Sequence, residues 1–350
     1  MIIRTFVVVG ALAAAAAGCK KSEQAAPKAA PAAAPAAPSA DAAESPEAVA
    51  KREQAAKVAT ARAKLDERVA KEAARWTPEL EAKATALRDT AWPSTDAALT
   101  AILASDHRQP GNALRDQYRH PRETLGFFGV TPTSRVIELG AGAGWYTELL
   151  APLVGKQGAL TAVGPDPDGP ADAMGSVYGQ RLVKLLAKSP GMFGGVTRVA
   201  IAAPDRLTLG APGSADVVIA FREMHNWVED GHHGAYLAAI HAVLKDGGTF
   251  ALVDHRAAPD AKLEAVVKQG YLPQAWVIEQ VTAAGFDLAA QSEINANPKD
   301  TKDYKDGVWT LPPALTLGDV DRAKYEAIGE SDRMTLKFVK RPAGAAPAAK

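Results

Sequence analysis

The stretch that decides the fold runs from Arg135 to Pro152 and reads R-V-I-E-L-G-A-G-A-G-W-Y-T-E-L-L-A-P. Arg135 to Leu139 is a short apolar run with β-branched residues, the composition of a buried strand. Gly140, Gly142 and Gly144 follow at alternate positions, and Trp145 to Leu153 reads as a helix with Pro152 in its last turn. Strand, glycine turn and helix in that order form the first half of a nucleotide-binding α/β unit. Glycine lets the backbone turn sharply and approach a ligand with no Cβ in the way. Free N–H groups at the helix start lie beside the same turn.

A dinucleotide fingerprint requires G-x-G-x-x-G. Here the third glycine arrives one residue early and Trp145 stands where glycine is expected, so the pattern is E-x-G-x-G-x-G, with Glu138 on the strand. This resembles motif I of class I S-adenosylmethionine (SAM) methyltransferases, whose glycine loop lies under the amino-acid part of the cofactor. SAM has no pyrophosphate, so the phosphate-cradling geometry is not required. Two other readings stay open: a glycine turn with no ligand, and a nicotinamide site.

The chain has 350 residues, 47% of them hydrophobic, and a formal net charge of zero. That length and composition suffice for one sizeable core plus appendages. Balanced charge gives no reason to expect a nucleic-acid partner. Cys19 is the single cysteine, which excludes an intrachain disulfide and a cysteine metal cluster. Arg4 precedes an apolar run, Phe6 to Ala17, broken only by Gly10 and followed by Gly18-Cys19. A basic region, a short apolar region and a small-residue cleavage site make a secretory signal, and the run is too short to span a bilayer. Ala16-Ala17-Gly18-Cys19 resembles a bacterial lipobox, in which Cys19 is lipidated and becomes the mature N-terminus. An ordinary signal with an incidental cysteine is the alternative. Lys20 is not the aspartate that marks inner-membrane retention in enteric bacteria. An outer-membrane lipoprotein facing the periplasm is therefore expected, with the inner membrane or the soluble periplasm as alternatives.

The expected organisation is a signal peptide over residues 1–18, an Ala/Pro-rich tether over 19–47, a helical N-terminal extension over 48–120, a methyltransferase-like α/β domain over 121–340 and a tail over 341–350. Prolines 27, 31, 35, 38 and 46 keep the tether extended. Pro46 to Arg75 is rich in alanine and charge and reads as a long, mostly solvated helix or a partner-binding coiled coil, with Val49, Leu65 and Val69 among its few larger apolar residues. Pro78 to Thr90 predicts a short helix. Ser94 caps another through Ala104. Ser105 to His120 is polar and irregular, and Pro121 opens a helix through Phe128. Strands then alternate with helices: strands at 135–139, 159–163, 197–202, 216–220, 249–254, 286–294 and 333–340, helices at 171–187, 234–244 and 273–284. Asp246-Gly247-Gly248 reads as a turn.

Ligands of open α/β sheets sit outside the carboxyl ends of the strands, so the candidate sites are the segments just after each strand. After the second strand, Gly164 stands where a ribose-binding acid is usual, with Asp166 and Asp168 nearby; Asp166 either reaches back to the ribose or merely makes a Pro-Asp turn. After the fourth comes Phe221-Arg222-Glu223-Met224-His225-Asn226-Trp227. His225 with Asn226 can orient a nucleophile and take its proton, and Trp227 can wall the pocket. The plainer reading has His225 satisfying a backbone carbonyl and Trp227 filling core. His232 and His233 read as solvated. After the fifth, Asp254 beside His255 suggests a second acid–base pair, or a carboxylate capping loop amides. His225 and His255 with carboxylates invite a metal reading, but no H-x-x-x-H spacing or third ligand appears, and no metal is expected. The polar segment from Asn295 to Asp332, with Tyr304 and Trp309, reads as a lid or binding loop, or a surface extension.

Several stretches together resemble a bacterial family of predicted, exported class I methyltransferases. They are Tyr118–Gly129 (Y-R-H-P-R-E-T-L-G-F-F-G), the glycine loop through Glu148, Phe221–Trp227, Asp254–Ala257 (D-H-R-A), Ser292–Pro298 (S-E-I-N-A-N-P), Gly307–Pro313 (G-V-W-T-L-P-P) and Gly329–Phe338 (G-E-S-D-R-M-T-L-K-F). The resemblance implies a Rossmann-like fold, with a seven-stranded, mostly parallel sheet and one antiparallel strand. It implies SAM as cofactor and methyl transfer but brings no known substrate; the expected acceptor is an O or N nucleophile of a small molecule or envelope component. The residues expected at the cofactor are Glu138, Gly140, Gly142, Gly144, Trp145, Tyr146, Asp166, Phe221 and Arg222. From their places after the strands, His225, Asn226, Asp254 and His255 are expected at the reaction, and Trp227, Tyr304 and Trp309 at the substrate. A non-catalytic envelope-binding lipoprotein on the same scaffold and an NAD(P)-dependent oxidoreductase are the rival readings.

Overall fold

Strand β1 (Arg135–Leu139) is buried from its second residue onward, as its apolar run predicts for a strand covered on both faces. The structure, a computed structural model, describes residues 45–203, 207–342 and 344. The segments expected to be signal peptide, tether and tail, Cys19 among them, lie almost wholly outside the described residues. Glu47–Lys350 forms one compact unit.

The other strands are β2 (Ala159–Pro165), β3 (Thr197–Ile201), β4 (Ala215–Phe221), β5 (Leu244–His255), β6 (Phe286–Ser292) and β7 (Arg333–Lys340). They form one seven-stranded sheet in the order β3-β2-β1-β4-β5-β7-β6. β1 pairs in parallel with β2 and β4, β2 with β3, and β4 with β5. β7 is antiparallel to both β5 and β6. The carboxyl ends of β1 to β6 therefore share one edge with the start of β7, and the β6–β7 connection emerges there. The sheet is Rossmann-like, with its topological switch between β1 and β4, where a ligand crevice opens.

Helices α1 (Pro46–Arg75), α2 (Pro78–Asp89), α3 (Thr95–Leu103), α4 (Asp116–Arg119) and α5 (Pro121–Phe128) precede β1. α6 (Thr147–Val154) follows it, and α7 (Met174–Ala187) and α8 (Pro190–Phe193) link β2 to β3. α9 (Met224–Glu229) and α10 (His233–Val243) link β4 to β5, α11 (Leu263–Val266) and α12 (Gln274–Ala283) link β5 to β6, and α13 (Arg322–Ile328) lies before β7. Ser94 caps α3 by accepting the Ala97 N–H, and α5 starts on Pro121 and stops at Gly129 (φ 75°).

Alternate strand residues face opposite sides of the sheet. Val136, Val217, Ile219 and Val253 pack on α3, α5 and α6. Ile137, Val218, Phe250 and Leu252 pack on α10 and α12.

Four differences from the sequence reading have physical causes. α1 is not a free rod: Val58 and Leu65 are buried in a small cluster with Val177 of α7. Arg62 also donates to the Ala171 carbonyl at 2.9 Å, and Lys188 to Glu72 at 3.1 Å. A thin apolar stripe suffices because polar anchors flank it. β5 begins at Leu244 and absorbs Asp246-Gly247-Gly248, with a slip in its pairing between Ala215 and Val217 and a φ of 74° at Gly247. α6 starts only at Thr147, because Trp145 and Tyr146 belong to the turn. α4 and α9 are too short and polar to show a helical period. No helix among the described residues is long and apolar enough to cross a membrane.

Candidate functional site

The three glycines after β1 have positive φ, 67° at Gly140, 54° at Gly142 and 83° at Gly144, where a side chain is strained. Their surroundings differ. A Cβ at Gly144 would overlap Leu185 of α7, and one at Gly140 would overlap the Glu223 carboxylate. A Cβ at Gly142 would meet only the Gly140 carbonyl, at 3.5 Å. Gly142 alone of the three lines the cleft at the switch point, which has a volume of about 350 Å³ and runs on to Arg222, His225, His255 and Trp309.

β4 and β5 are parallel neighbours with Phe221 opposite Val253, so the residues just beyond them meet. The Nδ1 of His225 lies 2.8 Å from Asp254 Oδ1. The other Asp254 oxygen accepts the His225 backbone N–H at 3.2 Å, and Oδ1 also accepts that of His255 at 2.8 Å. With the Nδ1 proton directed to the carboxylate, Nε2 of His225 is the acceptor. Burial works against a charged His225, but the Asp254 charge and hydrogen bond outweigh it and raise the pKa. Burial also opposes ionisation of Asp254, and His225 more than offsets it, so that pKa is lowered.

Asp254 therefore serves His225 and not the ring of His255, which corrects the expected second acid–base pair. His255 Nδ1 instead meets Ser331 Oγ at 2.5 Å. Burial, then the neighbouring His225, drives its pKa well below the usual histidine value, so this imidazole is neutral. His225, Asp254 and His255 each offer a ligand atom within 4.8 Å of the others. Asp254 thus stands close enough to both histidines to be the third donor that sequence spacing did not reveal, although it is engaged as the hydrogen-bond acceptor of His225.

Two further carboxylates flank the glycine loop. Glu138 is buried, accepts from Thr147 Oγ1 at 2.7 Å, and is pushed by burial to about 7. Glu223 stands over Gly140, opens to the cleft and is likewise pushed by desolvation to about 7. Asn226 lines the cleft beside it.

Several expected contacts are not at the cleft. Trp145 is buried against the guanidinium groups of Arg108 and Arg119, 5.3 and 4.8 Å from the ring centroid, and donates to the Asn112 carbonyl at 3.0 Å. Tyr146 packs on Phe221 at 4.6 Å, and Phe221 on Phe128 at 5.5 Å, within the core. Trp227 stacks on Tyr236 at 4.2 Å in the opposite core. For these rings, burial of a large apolar surface prevails over a place in the pocket wall. Tyr304 is buried beside Tyr325 and its hydroxyl accepts the Thr301 N–H at 3.0 Å. Asp166 accepts the Asp168 N–H at 3.0 Å in its own turn. Trp309 does line the cleft, 6.1 Å from the His225 ring.

The sequence reading gave no role to Glu223, Arg115, Arg119, Glu330, Ser331 and Arg333. All but Arg115 lie in stretches that carried the family resemblance, and those stretches meet at this one cleft: Arg119, Gly142, Glu223, His255, Trp309 and Glu330 all line it.

No protein-family model matches the chain, and no curated protein matches its sequence. Among solved structures, the chain is similar to a SAM-dependent methyltransferase from Aquifex aeolicus, with 16% identity, 65% of this chain and 92% of that chain covered, and a TM-score of 0.42. It is similar to a didemethyltoxoflavin methyltransferase from Burkholderia thailandensis, solved with its substrate and S-adenosylhomocysteine, with 18% identity, coverage of 72% and 93%, and a TM-score of 0.40. The cyclase SpnF aligns with 14% identity, coverage of 72% and 98%, and a TM-score of 0.45. The assignment of the fold rests on the strand order and pairing described above.

Proposed function

We propose that this chain transfers a methyl group from SAM to an O or N nucleophile. The observation that carries the reading is the cleft at the β1–β4 switch, open at Gly142 and continuous with the imidazole of the His225–Asp254 pair. The residues present fit the cofactor: Gly142 offers a backbone surface free of side chain, and Glu223 over Gly140 suits the cationic ammonium of its amino-acid end. SAM, when bound, supplies an electrophilic methyl group on a sulfonium, whose displacement needs mainly proximity, alignment and a dry pocket. Nε2 of His225 takes the proton of the nucleophile, while Asp254 holds the ring orientation and favours the imidazolium. Neutral His255 and Trp309 confine the space beside it.

The test is transfer of label from methyl-labelled SAM into a cell-envelope extract. Incorporation with the wild-type chain and its loss in His225→Gln support the reading. Absence of incorporation and of any SAM binding by the folded chain removes it.

A second reading is a non-catalytic envelope-binding module on this scaffold. It is favoured by Gly164 at the usual place of the ribose-binding acid and by Asp166, which is engaged in its own turn. The cytoplasmic origin of SAM favours it too, if the chain is exported. Fold alone does not establish function. Binding of SAM, its demethylated product and NAD side by side separates these readings from the oxidoreductase.

Export and lipidation at Cys19 are part of the same proposal. A Cys19→Ala chain then leaves the membrane fraction; unchanged fractionation removes the anchor.

A further inference from the structure

Four guanidinium groups converge on one carboxylate in the wall of the cleft. Arg119 Nε donates to both oxygens of Glu330 at 3.0 Å. Arg115 Nε donates to it at 3.2 Å and Arg333 Nη1 at 3.0 Å, and Arg222 Nη1 stands 3.7 Å away. Arg119, Arg333 and Glu330 are buried. Glu330 is the one carboxylate that all four share, so positive charge is in excess around it. Glu223, the other acid beside Arg222, is only partly ionised near neutrality.

Like charges gathered in a poorly solvated wall repel one another strongly, and these four are held together all the same. Arg222 is fixed there in a left-handed backbone conformation, φ 63°. Nη1 of Arg119, a residue of the cleft wall, is buried without a hydrogen-bond partner, and so is Nε of Arg333 behind the wall. Arg119 is 1% exposed and lines the cleft together with Arg115 and Arg222. A planar guanidinium with free N–H groups is suited to carboxylate and phosphate oxygens.

We propose that the arginine wall receives a phosphate or carboxylate group of the methyl acceptor, so that the acceptor is an anion docked beside His225. The word acceptor rests on the methyl-transfer reading; the anion site itself does not. SAM carries one carboxylate against an ammonium and a sulfonium, so its binding does not lower the positive charge of the cleft, and a separate anion is needed to approach balance. The occupant's anionic end meets Arg115, Arg119 and Arg222, and the rest of it extends toward Trp309 and the free nitrogen of His225.

Calorimetric titration of inorganic phosphate and of acetate into the full-length chain, with and without saturating SAM, tests this in wild type, Arg115→Gln and Arg222→Asn. Arg115 is partly exposed, and asparagine tolerates the left-handed backbone at position 222, so both variants are suited to folding. The expected result is binding of at least one anion, weakened tenfold or more in each variant and persisting in saturating SAM. No anion binding, or binding unchanged in both variants, overturns the proposal. So does displacement of the anion by SAM with parallel loss of SAM affinity in both variants, which assigns the arginines to the cofactor's own carboxylate. Anion binding by a chain that does not bind SAM supports the anion site and removes the methyl-transfer reading instead.

Discussion

Nδ1 of His225 and Oδ1 of Asp254 stand 2.8 Å apart, both buried, the one in α9 just beyond β4 and the other at the end of its parallel neighbour β5. This pair fixes which imidazole nitrogen is left for a substrate. His225→Gln is expected to lower methyl incorporation by about 10²- to 10⁴-fold, the range for loss of a general base, while SAM affinity changes little. Equal loss of SAM affinity would reassign His225 to the cofactor.

The pair also sets a pH dependence. The folded pKa of His225 is raised above the ordinary histidine value of 6.5. Its stabilising contribution is complete below 6.5 and is lost as pH rises through the raised value. The neutral base grows in over the same interval, so activity increases with pH to a midpoint above 6.5. For Asp254, whose pKa is lowered from 3.8, the contribution is present above that value and lost on further acidification. An NMR titration of the His225 ring is expected to show a midpoint above 6.5 in wild type and a lower one in Asp254→Asn.

Glu138 has the opposite sign to Asp254. Its pKa rises from 4.5 unfolded to about 7 folded, so native stability declines between those values as the unfolded chain ionises first. Glu138→Gln keeps an acceptor for Thr147 Oγ1 and removes this cost. The variant is expected to gain on the order of 1–3 kcal/mol over wild type at pH 8 and much less at pH 5, as read from denaturant midpoints. A gap independent of pH contradicts the assignment.

Glu330 holds four arginines, and its pKa is lowered from 4.5 to about 2 because their attraction exceeds the burial penalty. Glu330→Gln leaves these cations without their counter-charge and is expected to cost about 3–5 kcal/mol. Added phosphate should restore part of the loss in Tm. Equal salt dependence in wild type and variant would contradict this.

α1 is expected to detach without unfolding the sheet. Leu65→Ala removes a buried side chain from the small cluster with Val58 and Val177. It should cost about 2 kcal/mol locally and speed proteolysis within residues 46–75. Hydrogen exchange in β1 and β4 should be unchanged.

The sheet was legible because its strands are apolar runs bounded by turn residues; β1 and β7 have the limits that the sequence implies. The site was only partly legible. Period-two alternation along β5 already separates the side chains of Asp254 and His255, a signal sufficient to exclude their pairing. Nothing in local spacing indicates that Arg119 meets Glu330, 211 positions away. The aromatic residues misled for another reason: composition marks Trp145 and Trp227 as suited to a pocket wall, but only packing decides which way a ring faces.

Calorimetric titration of SAM into the full-length chain tests the central claim most directly, with Gly142→Val as the control. Valine at φ 54° is strained and places its side chain in the cleft, so a folded variant that has lost affinity localises the site. One SAM per wild-type chain is expected, with no measurable binding in the variant. A folded wild-type chain that takes up no SAM, or a variant that binds it equally well, contradicts that claim.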